Sequence, residues 1–117
     1  MANPVVHFEV VGKDAQALQR FYAGAFGWQM QDVMEGAYYM ANPDVENAIQ
    51  GGVGAAPDGG SGHVTFYVQV DDPAAALQKI SELGGRTVQE PMDIPNGPTI
   101  AMFADPEGHV VGLVKGM

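Results

Sequence analysis

The sequence predicts an α+β domain made of two copies of one strand–helix–three-strand (βαβββ) module. Three observations predict it. Two alternating strands carry histidines 56 residues apart, at His7 and His63. Each strand runs toward a helix start, at Asp14 and at Asp72-Pro73. A glycine-rich stretch, Pro57-Asp58-Gly59-Gly60-Ser61-Gly62, divides the chain almost in half. A repeat of this kind sets the architecture before any finer reading. The boundaries it implies are one domain over 1–117, with module one over about 4–56, a linker over about 57–62 and module two over about 63–117.

Each element follows from pattern and punctuation. Val5 to Val11 alternates, with Val6, Phe8 and Val10 on one face and His7, Glu9 and Val11 on the other. Asp14 suits an N-cap, and Ala15, Leu18, Phe21, Tyr22, Ala25 and Phe26 form an apolar helical stripe that Gly27 ends. Trp28–Met34, Gly36–Ala41 and Ala48–Ala55 read as short strands, and Gln50-Gly51-Gly52-Val53-Gly54 marks a bulge or a close approach by a backbone or ligand. In the second module, Val64, Phe66, Val68 and Val70 make an apolar face that a helix would cover. His63, Thr65, Tyr67 and Gln69 make a polar face that suggests a cavity. Pro73 at the first helical position, the stripe Ala76, Leu77, Ile80 and Leu83, and the stop Gly84-Gly85 define the second helix. Arg86–Pro91, Pro98–Ala104 and His109–Lys115 complete the strands, with a type I turn at Asp105-Pro106-Glu107-Gly108.

Composition excludes several function classes. Five Lys and Arg against 14 Asp and Glu give a net charge of −9, which repels phosphate backbones and anionic lipid surfaces. No nucleic acid or membrane is expected as partner. The absence of cysteine removes disulfides, thiolate catalysis and cysteine metal sites. Met1-Ala2-Asn3-Pro4 enters a strand without a basic segment or apolar leader, so a cytoplasmic location is expected.

The chain resembles the vicinal oxygen chelate superfamily, which includes glyoxalase I, extradiol dioxygenases and bleomycin-resistance proteins. The residues carrying the resemblance are His7-Phe8-Glu9-Val10 leading to Arg20-Phe21-Tyr22, then Phe26-Gly27-Trp28. They continue with His63 through Asp71-Asp72-Pro73, Leu83-Gly84-Gly85, and Phe103-Ala104-Asp105-Pro106-Glu107-Gly108. The resemblance implies curved mixed sheets with helices on the convex side, a concave cup for a small-molecule ligand, and a homodimer.

It also implies a metal set. Carried over by position, the four ligands of metal-using relatives fall on His7, Gln50, His63 and Gly112. Two imidazoles would suit zinc, nickel, iron or cobalt, with manganese also possible in this superfamily. Gly112, however, stands where glyoxalase-type relatives use a carboxylate as ligand and proton shuttle, so glyoxalase I activity is not expected. Glu9 is the candidate base, and Tyr67, Trp28, Tyr39 and Gly112 are candidates for the ligand pocket. Met92–Pro98 is a candidate lid. Three readings stand. One is a small-molecule binder with a degenerate or absent metal site. A second is a metal-dependent lyase, isomerase or dioxygenase using His7, Gln50 and His63. The third is an interaction module, for which no residue speaks.

Overall fold

The computed structural model describes residues 2–116. They form an α+β fold in the order β1 (Val5–Gly12), α1 (Ala15–Phe26), β2 (Gln29–Asp32), β3 (Tyr38–Asn42) and β4 (Gln50–Ala55). Then come β5 (His63–Gln69), α2 (Pro73–Glu82), β6 (Arg86–Asp93), β7 (Thr99–Ala104) and β8 (Val110–Lys115). The chain divides into two compact units, one of residues His7–Val64 and one of the residues up to Val6 with those from Thr65 onward. The division falls inside β1 and β5, so His7, Glu9 and His63 share a unit.

In the unit of His7–Val64 the strand order is β2-β3-β4-β1. The β1–β4 pair is parallel and the others are antiparallel, so pairing is mixed. Asp14 caps α1 by accepting a hydrogen bond from the Ala17 N–H at 3.0 Å. Gly27 closes the helix at φ 73°, its N–H donating to the Ala23 carbonyl. The expected α1 stripe is only partly covered, because Phe21 and Phe26 are 63% and 62% exposed. Tyr22 stacks on Trp28 at 5.5 Å, and Trp28 in turn meets Phe8 of β1 at 5.0 Å. That aromatic ladder couples the helix to the Phe8 face of the strand.

The other unit has strand order β5-β8-β7-β6, with β5 and β8 parallel. Asp72 caps α2 through the N–H groups of Ala74 and Ala75, and Pro73 occupies the first turn. Leu77, Ala101 and Leu113 form the core under α2, joined by Val68, Val70, Ala76, Ile80 and Phe103. The helix therefore covers only the C-terminal part of the β5 apolar face. Val64 and Phe66, expected to be covered, are 76% and 42% exposed, whereas Thr65 and Tyr67 of the polar face are buried. Thr65 satisfies its hydroxyl by donating to the Val110 carbonyl at 2.7 Å.

The candidate lid is corrected. Met92 and Asp93 belong to β6, pairing with Ile100 and Thr99 of β7. A tight turn tied by Ile94 N–H to Pro98 O (2.9 Å) and Gly97 N–H to Ile94 O (2.8 Å) leaves no free loop. Pro91 lies within β6, which is tolerated because the strand is last in the order and shifts register there.

Candidate functional site

Register decides which side chains share a face. In the β1–β4 pair His7 lies opposite Gln50, Glu9 opposite Gly52 and Val11 opposite Gly54. In the β3–β4 pair Tyr38 lies opposite Gly54 and Met40 opposite Gly52. With side chains alternating, His7, Glu9, Gln50, Gly52, Gly54, Tyr38 and Met40 occupy one face. Phe8, Gly51, Val53, Tyr39 and Ala41 occupy the other.

Glycine makes the site possible. A Cβ at Gly52 would collide with the Tyr38 hydroxyl, and one at Gly54 would lie 2.5 Å from Tyr38 Cδ2. The phenol thus lies along β4 over two glycines and delivers its hydroxyl to β1. On the opposite face, a Cβ at Gly51 would lie 2.5 Å from the Phe8 ring. The glycine-rich run of β4 therefore accommodates two aromatic side chains, one on each face.

The result is a four-residue hydrogen-bonded chain. His7 Nε2 is 3.1 Å from Tyr38 Oη. Tyr38 Oη donates to Glu9 Oε2 at 3.3 Å, and His63 Nε2 is 3.0 Å from Glu9 Oε1. An ionised carboxylate only accepts, so the hydrogen between His63 and Glu9 sits on His63 Nε2. Tyr38 spends its hydrogen on Glu9, so His7 Nε2–H donates to Tyr38. Both Glu9 oxygens, the Tyr38 hydroxyl and the two Nε2 atoms then each have a partner. His7 and Glu9 are buried, and only the His63 side chain, 39% exposed, opens substantially to solvent.

Burial pulls the His7 pKa below its usual 6.5, and the nearby Glu9 carboxylate partly opposes that shift. The sign for stability follows from linkage. An unfolded chain takes up this proton as pH falls below 6.5 while the folded chain resists it, so stability is lost on acidification. Wild type is expected to lose Tm between about pH 7 and about pH 5 more steeply than His7→Gln, with a difference of at most about 1.4 kcal/mol per pH unit. Thermal melts of both proteins across that range measure it.

The other expected site residues lie elsewhere. Trp28 stacks on Tyr22 and meets Phe8 at a tilt, and Tyr39 is on the Phe8 face, so neither joins His7 and Glu9. Tyr67 is a core residue, 6% exposed and packed with Met102, Val114, Val6 and Ile100. Its ring occupies the space a Gly112 side chain would need. Gln50 is exposed opposite His7. Tyr38, which periodicity did not single out, is the residue that joins the chain together.

The expected metal set can be tested against this arrangement. The Nε2 atoms of both histidines are committed to Tyr38 and Glu9, and Gly112 offers no donor. Among the described residues no three His, Asp or Glu side chains are grouped to hold an ion. So arranged, the two Nε2 atoms face Tyr38 and Glu9, and Gln50 lies exposed opposite His7.

The profile of the Glyoxalase/Bleomycin resistance protein/Dioxygenase superfamily matches residues 5–113. The chain belongs to this superfamily. CFP32 of Mycobacterium tuberculosis, whose name assigns it provisionally to the glyoxylases, is 32% identical over 106 residues, covering 86% of this chain. The anthracycline biosynthesis protein DnrV of Streptomyces peucetius is 27% identical, also over 86% of this chain. The chain spans only 41% of CFP32 and 42% of DnrV. Among solved structures, methylmalonyl-CoA epimerase from M. tuberculosis superposes with a TM-score of 0.70 at 15% identity, covering 97% of this chain and 87% of the epimerase. A superfamily member from Vibrio splendidus superposes with a TM-score of 0.66 at 16% identity, covering 98% and 100%. At such identities these superpositions establish a shared fold. No described helix is long and apolar enough to cross a membrane.

Proposed function

We propose that this superfamily member binds a small organic molecule at the solvent-facing end of the His7–Tyr38–Glu9–His63 chain, without a divalent ion held by His7, Gln50 and His63. One observation carries the reading. The nitrogens that would ligate an ion are engaged with Tyr38 and Glu9 at 3.1 and 3.0 Å. Relatives named for anthracycline biosynthesis and for methylmalonyl-CoA epimerisation support a small organic ligand over a macromolecular one.

The Glu9–His63 pair is the group able to act on a bound molecule. Glu9 orients the ring and holds the hydrogen on Nε2, which leaves Nδ1 as the accepting nitrogen. A carboxylate-oriented imidazole at a solvent-accessible position can take or return a proton. Glyoxalase I activity is not part of the proposal, since position 112 is a glycine. The homodimer implied by the resemblance belongs to the same proposal.

Elemental analysis of the purified protein tests the reading. Less than about a tenth of an equivalent of transition metal is expected, since a structural or catalytic site would hold close to one. Stoichiometric metal that disappears in His7→Ala would overturn it in favour of a metal-dependent lyase, isomerase or dioxygenase.

A further inference from the structure

Beside His63 the unit of His7–Val64 contains a half-open hollow of about 490 Å³, lined by Val11, Ala56, Pro57, Asp58, Ser61 and His63, with Gly60 and Gly62 in its wall. That volume lies in the range of small-molecule sites. We infer that this hollow is a subsite for a compact organic cation, a protonated amine carried by the ligand.

The wall is an ordered loop rather than a slack linker. Ala56 N–H donates to the Gly12 carbonyl at 2.8 Å, and Gly59 N–H to the Ala56 carbonyl at 3.0 Å. Gly60 N–H donates to Asp58 Oδ1 at 2.9 Å. Gly62, at φ 85°, packs so closely on the Val11 carbonyl that no Cβ would fit. This contact fixes the chain one residue before His63.

The chemistry of the lining selects the ligand. No Lys or Arg borders the hollow, and Asp58 is its only fixed charge. With Oδ1 engaged by Gly60, Oδ2 is the oxygen left to meet a donor. Ser61 Oγ accepts as well as donates. His63 has its Nε2 held by Glu9, which leaves Nδ1 as an acceptor in the neutral ring. Three acceptors, one of them charged, suit a group that is all donor, as an alkylammonium is. Val11, Ala56 and Pro57 supply apolar surface for its carbon chain. The surrounding field agrees, with two basic residues against seven acidic ones between positions 7 and 64.

The inference deepens the small-molecule reading and rests on it for its relevance, but its test is separate. The probes are propylammonium, propanol and propionate, matched in size and differing in charge. Each is titrated into the uniformly 15N-labelled protein at low ionic strength and mildly alkaline pH. Propylammonium is expected to give saturable amide shifts at Ala56, Asp58, Ser61 and Gly62, with propanol and propionate leaving these unmoved. Asp58→Asn keeps the oxygen that Gly60 needs and should weaken propylammonium binding about fivefold, the effect of one partly screened charge. Binding unchanged in Asp58→Asn would overturn the inference. So would propionate binding as well as propylammonium, or shifts of equal size at Asp44 and Glu46. Metal found by elemental analysis would contradict the preceding proposal yet leave these shifts interpretable, because Asp58 and Ser61 lie outside the expected metal set.

Discussion

Gly52→Ala is expected to cost about 2–3 kcal/mol of unfolding free energy, the upper part of the range for overpacking a filled interior. The added methyl occupies the place of the Tyr38 hydroxyl, and Gly52 is buried in β4 between its two neighbours. The strand cannot move away, because β1 and β3 pair with it on both sides. Tyr38 must therefore swing out, and both His7 and Glu9 lose their shared partner. Gly24→Ala provides the control. It lies inside α1 with nothing near its would-be Cβ, so alanine there should stabilise by about 0.5–1 kcal/mol. Denaturant melts of both variants measure the contrast. In a Tyr38→Ala background the cost of Gly52→Ala should fall below about 1 kcal/mol, as expected for residues that meet directly. Equal costs in the two backgrounds would show that the clash is not with Tyr38.

Replacement of Glu9 comes next in expected size. Its two oxygens accept from Tyr38 and from His63, and its side chain is only 11% exposed. Glu9→Gln presents one carbonyl oxygen and an NH2 group, so one of the two donors faces another donor. A loss of about 1–3 kcal/mol is expected from the unsatisfied partner. The His63 Nε2–H proton signal should also vanish or move strongly toward its free-imidazole position. Equilibrium unfolding and imidazole-proton NMR read the two effects. A variant as stable as wild type with that signal in place would remove Glu9 from the chain of contacts.

Much of the scaffold was readable from residue order. Asp14 and Asp72 cap their helices, and Gly27 ends the first in the left-handed conformation its position calls for. The alternation of β1 places His7 and Glu9 on one face, and both are buried there. What could not be read depends on register. Tyr38 and Tyr39 are adjacent, so one must face His7 and the other must not. Only the pairing of Tyr38 with Gly54 tells which. Two glycines spaced two apart in β4 were the available sign that a large side chain crosses the neighbouring strand on that face. The glycines suggest a bulge or a close approach by a backbone or ligand, and the occupants are instead Tyr38 and Phe8.

Trp28 and Val64 illustrate a second limit, competition between local pattern and packing. Trp28 follows α1 directly, and the rings of Tyr22 and Phe26 draw it to the helix. Val64 and Phe66 have the alternation of a covered strand, but α2 packs over Val68 and Val70 instead. Strand periodicity names the two faces without saying how far along each is covered.

Long-range 1H–15N NMR of the imidazole rings, at about pH 7.5 where histidine is ordinarily mostly deprotonated, tests the metal-free chain most directly. Hydrogen on Nε2 of both His7 and His63 is the predicted result, unchanged when zinc or nickel is added in modest excess. A bare, lone-pair Nε2 on either ring, or Nε2 signals displaced by the added ion, would contradict it.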